Sequence, residues 1–257
     1  MRNTRSRLRW LARLAMFGLA WAGQAGLGQA ATFSVTPTRI VLAPTATSVV
    51  VTLSNSSTAP MRFQLSAFAW DQTDGQVVLL DTNDVVVYPT LVAIAPGESR
   101  RIRVAVSARA TAIERSYRLF VEELPNHADA PSSQMGVTVR TKMGLPIFVQ
   151  GPKQAPRVAL ASVELGDAAL LVRVTNEGTA HAVLDQIRVH GESKTGEVLF
   201  TSVVNGWYLL PGRGQVFSIP VQSVDCAKAA TMTVTAESTD GRLSRRIAVR
   251  APDCRAK

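Results

Sequence analysis

Residues 61–67 read MRFQLSA, and their side chains alternate strictly between apolar and polar. The odd-numbered positions carry Met, Phe, Leu and Ala, whereas the even-numbered positions carry Arg, Gln and Ser. A period of two is that of a β-strand with one buried face. Residues 49–53 and 170–174 repeat this alternation. The pattern therefore predicts β-strands in both halves of the chain.

Turn-forming pairs separate the alternating stretches, among them Asp74-Gly75, Pro96-Gly97, Pro211-Gly212 and Asp240-Gly241. Such pairs punctuate a chain between strands. No convincing amphipathic helix interrupts the series. Short strands at this spacing indicate antiparallel sheets packed as sandwiches. We therefore predict an all-β fold.

The domain boundary is indicated by residues 151–156, which read GPKQAP. Two prolines and a glycine within so short a stretch form a stiff linker. We predict one domain at residues 31–150, a linker at 151–155 and a second domain at 156–257. Each has the size of an immunoglobulin-like β-sandwich.

The N-terminal residues 1–30 explain most of the net charge. The chain carries 28 Lys and Arg against 19 Asp and Glu, a formal net charge of +9. Five arginines precede an apolar run at 14–22, and small residues follow up to Ala30. This order predicts a secretory signal peptide; the alternative, a membrane anchor, needs a longer apolar run. Removal of the peptide lowers the net charge to +4.

A nucleic-acid partner loses most of its support with that peptide. The remaining basic stretches, Arg100-Arg101-Ile102-Arg103 and Arg245-Arg246, contain no aromatic residues on which bases could stack. We interpret them as solvated strand edges. We also expect no stable membrane insertion.

Cys226 and Cys254 are the two cysteines of the chain. Export would place them where disulfides persist, so we predict a disulfide between them. The alternative is a pair of redox-active thiols, but the C-x-x-C spacing typical of such pairs is missing.

No arrangement of residues points to catalysis. His127, His181 and His190 are not spaced like metal ligands, and we interpret them as solvated or turn histidines. The sequence contains no nucleophile elbow, phosphate-binding loop or dinucleotide-binding glycine pattern. We therefore predict a protein that is not an enzyme and that uses no cofactor and no metal.

Residues 134–142 read QMGVTVRTK and form the most unusual strand candidate. Met135, Val137 and Val139 are spaced to share one face of a strand. They could face the core of their own domain. At a sheet edge, the same apolar row could instead pair with a second chain.

Five motifs follow one another through the first domain. They are FSVTPTRIVL (33–42), VVVTLSN (49–55), YPTL with IAPGESRRIRV (88–104), ERSYRLF (114–120) and RTK (140–142). In this order behind a signal peptide, they resemble the periplasmic chaperones of chaperone–usher pilus assembly. The ending GLPIFV (144–149) is more similar to the archaic, spore-coat-like branch of that family. The resemblance implies two immunoglobulin-like domains arranged as an L or boomerang.

The resemblance also implies a mechanism. A pilus subunit lacks the last strand of its sandwich, and the chaperone would supply it through Met135, Val137 and Val139. Arg39 and Lys142 would bind the C-terminal carboxylate of the subunit, with Arg140 as the substitute for Lys142. Val137 and Lys142 are five residues apart, so they share a face only if a bulge intervenes.

The implied partners are pilus subunits and an outer-membrane usher, in the periplasm and without ATP. The free form could self-associate to cover its edge. The alternative is a secreted immunoglobulin-like structural or adhesive module that binds through its loops.

Overall fold

The computed structural model describes residues 33–125, 139–166 and 169–249. Met135, Val137, His127, Cys254 and the predicted signal peptide lie outside the described residues. The described part is almost entirely β-structure, as predicted. Within it, no helix has the length and apolar character needed to cross a membrane.

Ten strands form the first sandwich. They are β1 (Phe33–Thr36), β2 (Ile40–Leu42), β3 (Ser48–Asn55), β4 (Met61–Thr73), β5 (Gln76–Leu80), β6 (Val85–Tyr88), β7 (Leu91–Ile94), β8 (Ser99–Val106), β9 (Arg115–Leu124) and β10 (Lys142–Val149). One sheet has the order β1-β3-β8-β6, and the other has the order β2-β10-β9-β4-β5 with β7 also paired to β4.

Eight strands form the second sandwich. They are β11 (Val158–Leu165), β12 (Ala169–Asn176), β13 (Ala182–Glu192), β14 (Val198–Asn205), β15 (Tyr208–Leu209), β16 (Arg213–Pro220), β17 (Thr231–Ser238) and β18 (Gly241–Ala248). Its sheets are β11-β12-β16 and β14-β13-β17-β18, with β15 paired to β13. The predicted linker lies between β10 and β11.

The predicted alternation is confirmed in both sandwiches. Phe63 and Leu65 of β4 are buried in the first core, and Leu170 and Val172 of β12 are buried in the second. Each sheet turns its apolar side chains toward the opposite sheet, because burying that face removes apolar surface from water.

A short helix, α1 (Ser223–Lys228), was not predicted from the sequence pattern. Six residues are too few for a helical apolar period to be recognisable. Cys226 in α1 is buried. The predicted partner Cys254 lies outside the described residues, so the disulfide remains a prediction.

Both sandwiches contain the same buried asparagine arrangement, although the sequence shows no internal repeat. Asn55 ends β3 and Asn176 ends β12, and both side chains are buried. Each amide nitrogen donates to two backbone carbonyls, those of Ala59 and Ile94 in one case and of Ala180 and Leu209 in the other. A buried amide needs such partners, because an unpaired one loses its hydrogen bonds to water.

Candidate functional site

The strand β10 leaves part of one sheet edge open. β9 pairs with β10 along all of its length, from Lys142 to Val149. On the other side, β2 pairs only with Ile147–Val149. Residues 142–146 therefore have no second neighbouring strand in the described part of the chain. Their outward backbone groups form an open edge that another strand can join.

An exposed apolar residue precedes this open edge. Val139 is 80% exposed, and the residues that follow it are exposed up to Lys142. The β10 strand itself begins only at Lys142, although the sequence pattern predicted alternation from Met135 onward. Of the three residues predicted to enter a partner, only Val139 is described, and it faces solvent.

Aromatic side chains line the outer face of the β10-β9-β4 sheet. Phe68 and Trp70 of β4 lie on this face with Phe120 of β9 and Phe148 of β10. The Phe68 and Phe120 ring centroids are 5.9 Å apart, and those of Trp70 and Phe148 are 6.0 Å apart. The intervening residues of β9, such as Leu119 and Val121, face the core. Trp70 and Phe148 are buried against Leu210 and Tyr208 of the second sandwich, whereas Phe68 and Phe120 are only half-buried. This aromatic face is therefore where the two sandwiches meet.

Arg118 stands among these aromatic rings and is the main residue that the sequence-based interpretation missed. Its guanidinium carbon lies 4.1 Å from the ring centroid of Trp70 and 5.4 Å from that of Trp207. The residue is only 9% exposed. Burial lowers the pKa of Arg118, but an arginine in a protein keeps its charge.

Two donors of this guanidinium are unused. Neither Nε nor Nη2 of Arg118 has a hydrogen-bond partner among the described residues. These atoms form one edge of the planar group, which matches the two oxygens of a carboxylate. Burying a charged donor without a partner is costly. The geometry of this edge fits a carboxylate, but both atoms are buried, so a neighbouring side chain would have to move before an anion could reach them.

Gly144 of β10 provides the space that Arg118 occupies. A Cβ atom at residue 144 would lie 3.3 Å from Nη1 of Arg118 and 3.1 Å from Cε1 of Phe120. A larger side chain would have to displace one of them. The absence of a side chain at this position keeps the guanidinium in place between the strands.

The predicted pair Arg39 and Lys142 is not in contact. Lys142 Nζ lies 2.9 Å from Glu122 Oε2, in an exposed ion pair. Arg39 is exposed and directly precedes β2. Because Ile40 is opposite Ile147, Arg39 is level with Pro146, four residues from Lys142 and about 13 Å away along the strand. Arg118 is also level with Pro146, on β9.

His181 corrects one interpretation of the sequence, because it is not a solvated histidine. Its backbone N–H donates to Glu114 Oε1 at 2.9 Å, and its ring Nδ1 lies 2.7 Å from the same oxygen. The Glu114 side chain is 0% exposed and that of His181 is 10% exposed. The imidazole stacks on Phe148 with a centroid distance of 3.5 Å. His181 thus joins the second sandwich to β10 of the first.

A second polar contact joins the sandwiches at the end of β4. The carboxylate of Asp71 accepts two hydrogen bonds from Arg213, at 2.6 and 2.7 Å. The hydrogen bond from Arg213 lowers the pKa of Asp71. The buried Gln72 side chain donates to the Tyr208 carbonyl and accepts from the Leu210 N–H. These contacts fix the second sandwich beside Arg118.

Metal binding has no support in the described part of the chain, where no three His, Cys, Asp or Glu side chains are grouped as ligands would be. His190 Nε2 lies 3.9 Å from Glu192 Oε1.

Comparison with known families supplies the context for this site. Residues 32–155 match the family model described as "Pili and flagellar-assembly chaperone, PapD N-terminal domain". The first domain therefore belongs to the pilus-chaperone family. The family consists of chaperones rather than enzymes. A comparison with curated proteins found no match.

Solved structures of pilus chaperones have the same two-sandwich fold as this chain. A chain of the CsuC–CsuE chaperone–tip adhesin complex, from archaic Csu pili of Acinetobacter baumannii, is 19% identical with a TM-score of 0.59, and the match covers 84% of this chain and 97% of that chain. The YadV chaperone is 14% identical with a TM-score of 0.56, covering 85% and 100%. A chain of the Salmonella enterica SafA pilin–SafB chaperone complex is 11% identical with a TM-score of 0.54, covering 86% and 98%.

Proposed function

We propose that this pilus chaperone acts in the periplasm, where it caps pilus subunits by donating a strand and delivers them to an outer-membrane usher. The observation that carries the proposal is the open edge of β10 at residues 142–146, preceded by the exposed Val139. A subunit that lacks its last strand would pair its backbone with this edge.

The apolar side chains at 135, 137 and 139 would fill the groove that the missing strand leaves in the subunit. Burying three such side chains removes apolar surface of both partners from water. The register of the pairing matters, because a slip of one residue would turn every apolar side chain away from the groove. Release would need no ATP and no cofactor, since the next subunit can displace the donated strand by the same pairing.

The subunit's C-terminal carboxylate would fix that register. We propose that Arg118 binds it through Nε and Nη2, the two donors that have no partner among the described residues. Arg39 and Lys142 would contribute positive charge at the rim of the site, with Arg140 as the substitute for Lys142. A charge-assisted, two-point hydrogen bond supplies both affinity and orientation.

Two further parts of the proposal concern the protein outside this site. The Cys226–Cys254 disulfide would form after export and close the end of the second domain. The free protein could also associate with itself through the open edge until a subunit arrives. The alternative, an adhesive module that binds through loop tips, is not favoured, because the family is one of pilus chaperones.

Co-expression with candidate pilus subunits from the same genome tests this function. We expect a one-to-one chaperone–subunit complex from the periplasm. Val139→Asp and Arg118→Met should each reduce its yield at least about tenfold, because the first removes an apolar contact with the subunit and the second removes the hydrogen bonds to its carboxylate. Arg118→Met also loses the contacts with Trp70 and Trp207, so circular dichroism must show that the variant is folded. Val203→Asp, at an exposed position of β14, is the matched control and should leave the yield unchanged. The proposal is wrong if the wild-type protein forms no complex, or if both variants yield as much complex as the wild type.

A further inference from the structure

The first residue of β10 is tied to β9 by an ion pair at the start of the open edge. Lys142 is directly opposite Glu122, and its Nζ lies 2.9 Å from Glu122 Oε2. The two side chains are 54% and 48% exposed. Such a pair contributes little to the fold, because water solvates both charges when it opens. The Lys142 ammonium is therefore held, but it can be released at low cost.

The same ammonium lies close to the site proposed for the subunit's carboxylate. Lys142 Nζ is 5.0 Å from the ring centroid of Phe120. A Cβ atom at Gly144 would lie 3.1 Å from that ring and 3.3 Å from Arg118 Nη1, so the ring and the guanidinium are close to each other. Lys142 and Gly144 are two residues apart, about 7 Å along the strand. The flexible four-carbon stem of lysine can cover this distance, so a lysine that has left Glu122 can reach an oxyanion bound to Arg118.

Glu122 is not needed to hold the beginning of β10, because the next residue, Glu123, does so. The backbone N–H of Glu123 donates to the Thr141 carbonyl at 2.9 Å, and its Oε2 accepts from the Thr141 N–H at 3.2 Å. What Glu122 adds at this place is a carboxylate on the ammonium of Lys142. The subunit brings the same chemical group with its own C-terminus.

We propose that Glu122 is an internal competitor for the C-terminal carboxylate of the pilus subunit. In the free chaperone, Glu122 occupies Lys142. When a subunit binds through Arg118, Lys142 leaves Glu122 and pairs with the incoming carboxylate, while water solvates Glu122. This inference rests on the proposed function, in which Lys142 contributes positive charge at the rim of the Arg118 site.

The exchange of one carboxylate for another keeps the number of ion pairs on Lys142 constant. Binding gains less from Lys142 than it would from a free ammonium, because an existing pair has to open first. Release costs less for the same reason, since Glu122 takes the ammonium back when the subunit leaves. Glu122 therefore lowers the affinity for subunits and makes the chaperone easier to displace.

A competition for one pilus subunit measures this effect. A purified complex of untagged wild-type chaperone with a candidate pilus subunit from the same genome is mixed with an equal amount of a tagged free chaperone. Mass spectrometry then gives the share of subunit on the tagged chaperone once this share no longer changes. Relative to tagged wild type, Glu122→Gln should bind the subunit about two- to fivefold more tightly, which is the factor expected for an exposed ion pair that no longer has to open.

Two further variants and a control show whether the effect passes through Lys142. Lys142→Met should bind the subunit more weakly than wild type, and Lys142→Met/Glu122→Gln should bind like Lys142→Met, since no ammonium is left to release. Glu177→Gln is the control, and it should bind like wild type. It removes the same charge from a comparable exposed pair, which Glu177 forms with Arg157 at 3.2 Å in the second sandwich.

The outcomes separate this inference from the proposed function. A wild-type chaperone that forms no subunit complex contradicts the proposed function. If the complex forms, the inference is overturned when Glu122→Gln binds no more tightly than wild type. It is also overturned when the gain persists in the Lys142→Met background, or when Glu177→Gln gives an equal gain.

Discussion

Replacing His181 by alanine should weaken the contact between the two sandwiches by about 3–4 kcal/mol. Glu114 is fully buried, its Oε1 receives both His181 hydrogen bonds, and its Oε2 has no partner among the described residues. Without the imidazole, this carboxylate keeps only the backbone N–H. Taking a hydrogen-bond donor away from a buried carboxylate costs about 3 kcal/mol, and the lost Phe148 stack adds about 1 kcal/mol. Position 181 is partly exposed, so water can enter there and solvate the Glu114 carboxylate. The expected loss of stability is therefore somewhat smaller than the total of these two contributions.

Urea unfolding followed by tryptophan fluorescence measures this loss. Trp70 and Trp207 are the only tryptophans outside the predicted signal peptide, and both lie within 5.4 Å of Arg118, beside the contact. At a slope of about 1–3 kcal/mol per molar urea, the midpoint should fall by about 1 M or more.

A second variant tests whether His181→Ala destabilises the protein because the buried Glu114 carboxylate loses its hydrogen-bond partner or because packing is lost in general. In His181→Ala/Glu114→Leu the buried charge is gone, so part of the stability should return. His190→Ala is the control, because its nearest acidic oxygen is 3.9 Å away. A loss below about 1 kcal/mol in His181→Ala, or a double variant no more stable than the single one, would refute this reasoning.

Three further predictions concern stability. Asn176→Ala removes two donated and two accepted hydrogen bonds, and calorimetry should show a loss of about 3 kcal/mol; an unchanged melting temperature would contradict the role of this asparagine. The pKa of Asp71 is lowered by its pair with Arg213. The pair therefore stabilises the fold fully above about pH 4, the ordinary aspartate pKa, and this stabilisation is lost as the pH falls through the lowered pKa. Because the pair is exposed, Asp71→Asn should lower the free energy of unfolding by only about 0.5–1 kcal/mol at neutral pH, and should not lower it in strong acid. Equal losses at both pH values would contradict this role of the pair. Burial and the Asp84 hydrogen bond raise the pKa of Tyr117 to about 12, so ultraviolet titration should show a late tyrosinate step that Tyr117→Phe removes. The stability linked to this group is complete below its ordinary pKa and should be lost as the pH rises to about 12.

The all-β architecture could be predicted because a strand repeats its environment every two residues. The alternation at 61–67 and 170–174 directly reports which side chains enter each core. The same alternation places Arg118 on the face opposite Leu119, but it does not show what covers that face. Trp207 is distant in sequence and reaches Arg118 only through the contact between the sandwiches.

The contacts of His181 were hidden for the same reason. Glu114 and His181 are 67 residues apart, and no local period relates them. Their meeting depends on how one sandwich packs against the other, which no pattern within a single strand encodes. The pair Arg39 and Lys142 came from a family resemblance, and its role as a carboxylate anchor stays a prediction.

The crowding around Gly144 has a consequence for related sequences. A side chain at position 144 and a guanidinium from position 118 compete for the same space on neighbouring strands. In an alignment of relatives, the two positions should therefore covary. Relatives that keep glycine at 144 should carry the cation on β9, whereas relatives with a longer residue at 144 should have a smaller one at 118. One positive charge would then have moved between adjacent strands during evolution while staying at almost the same point in space.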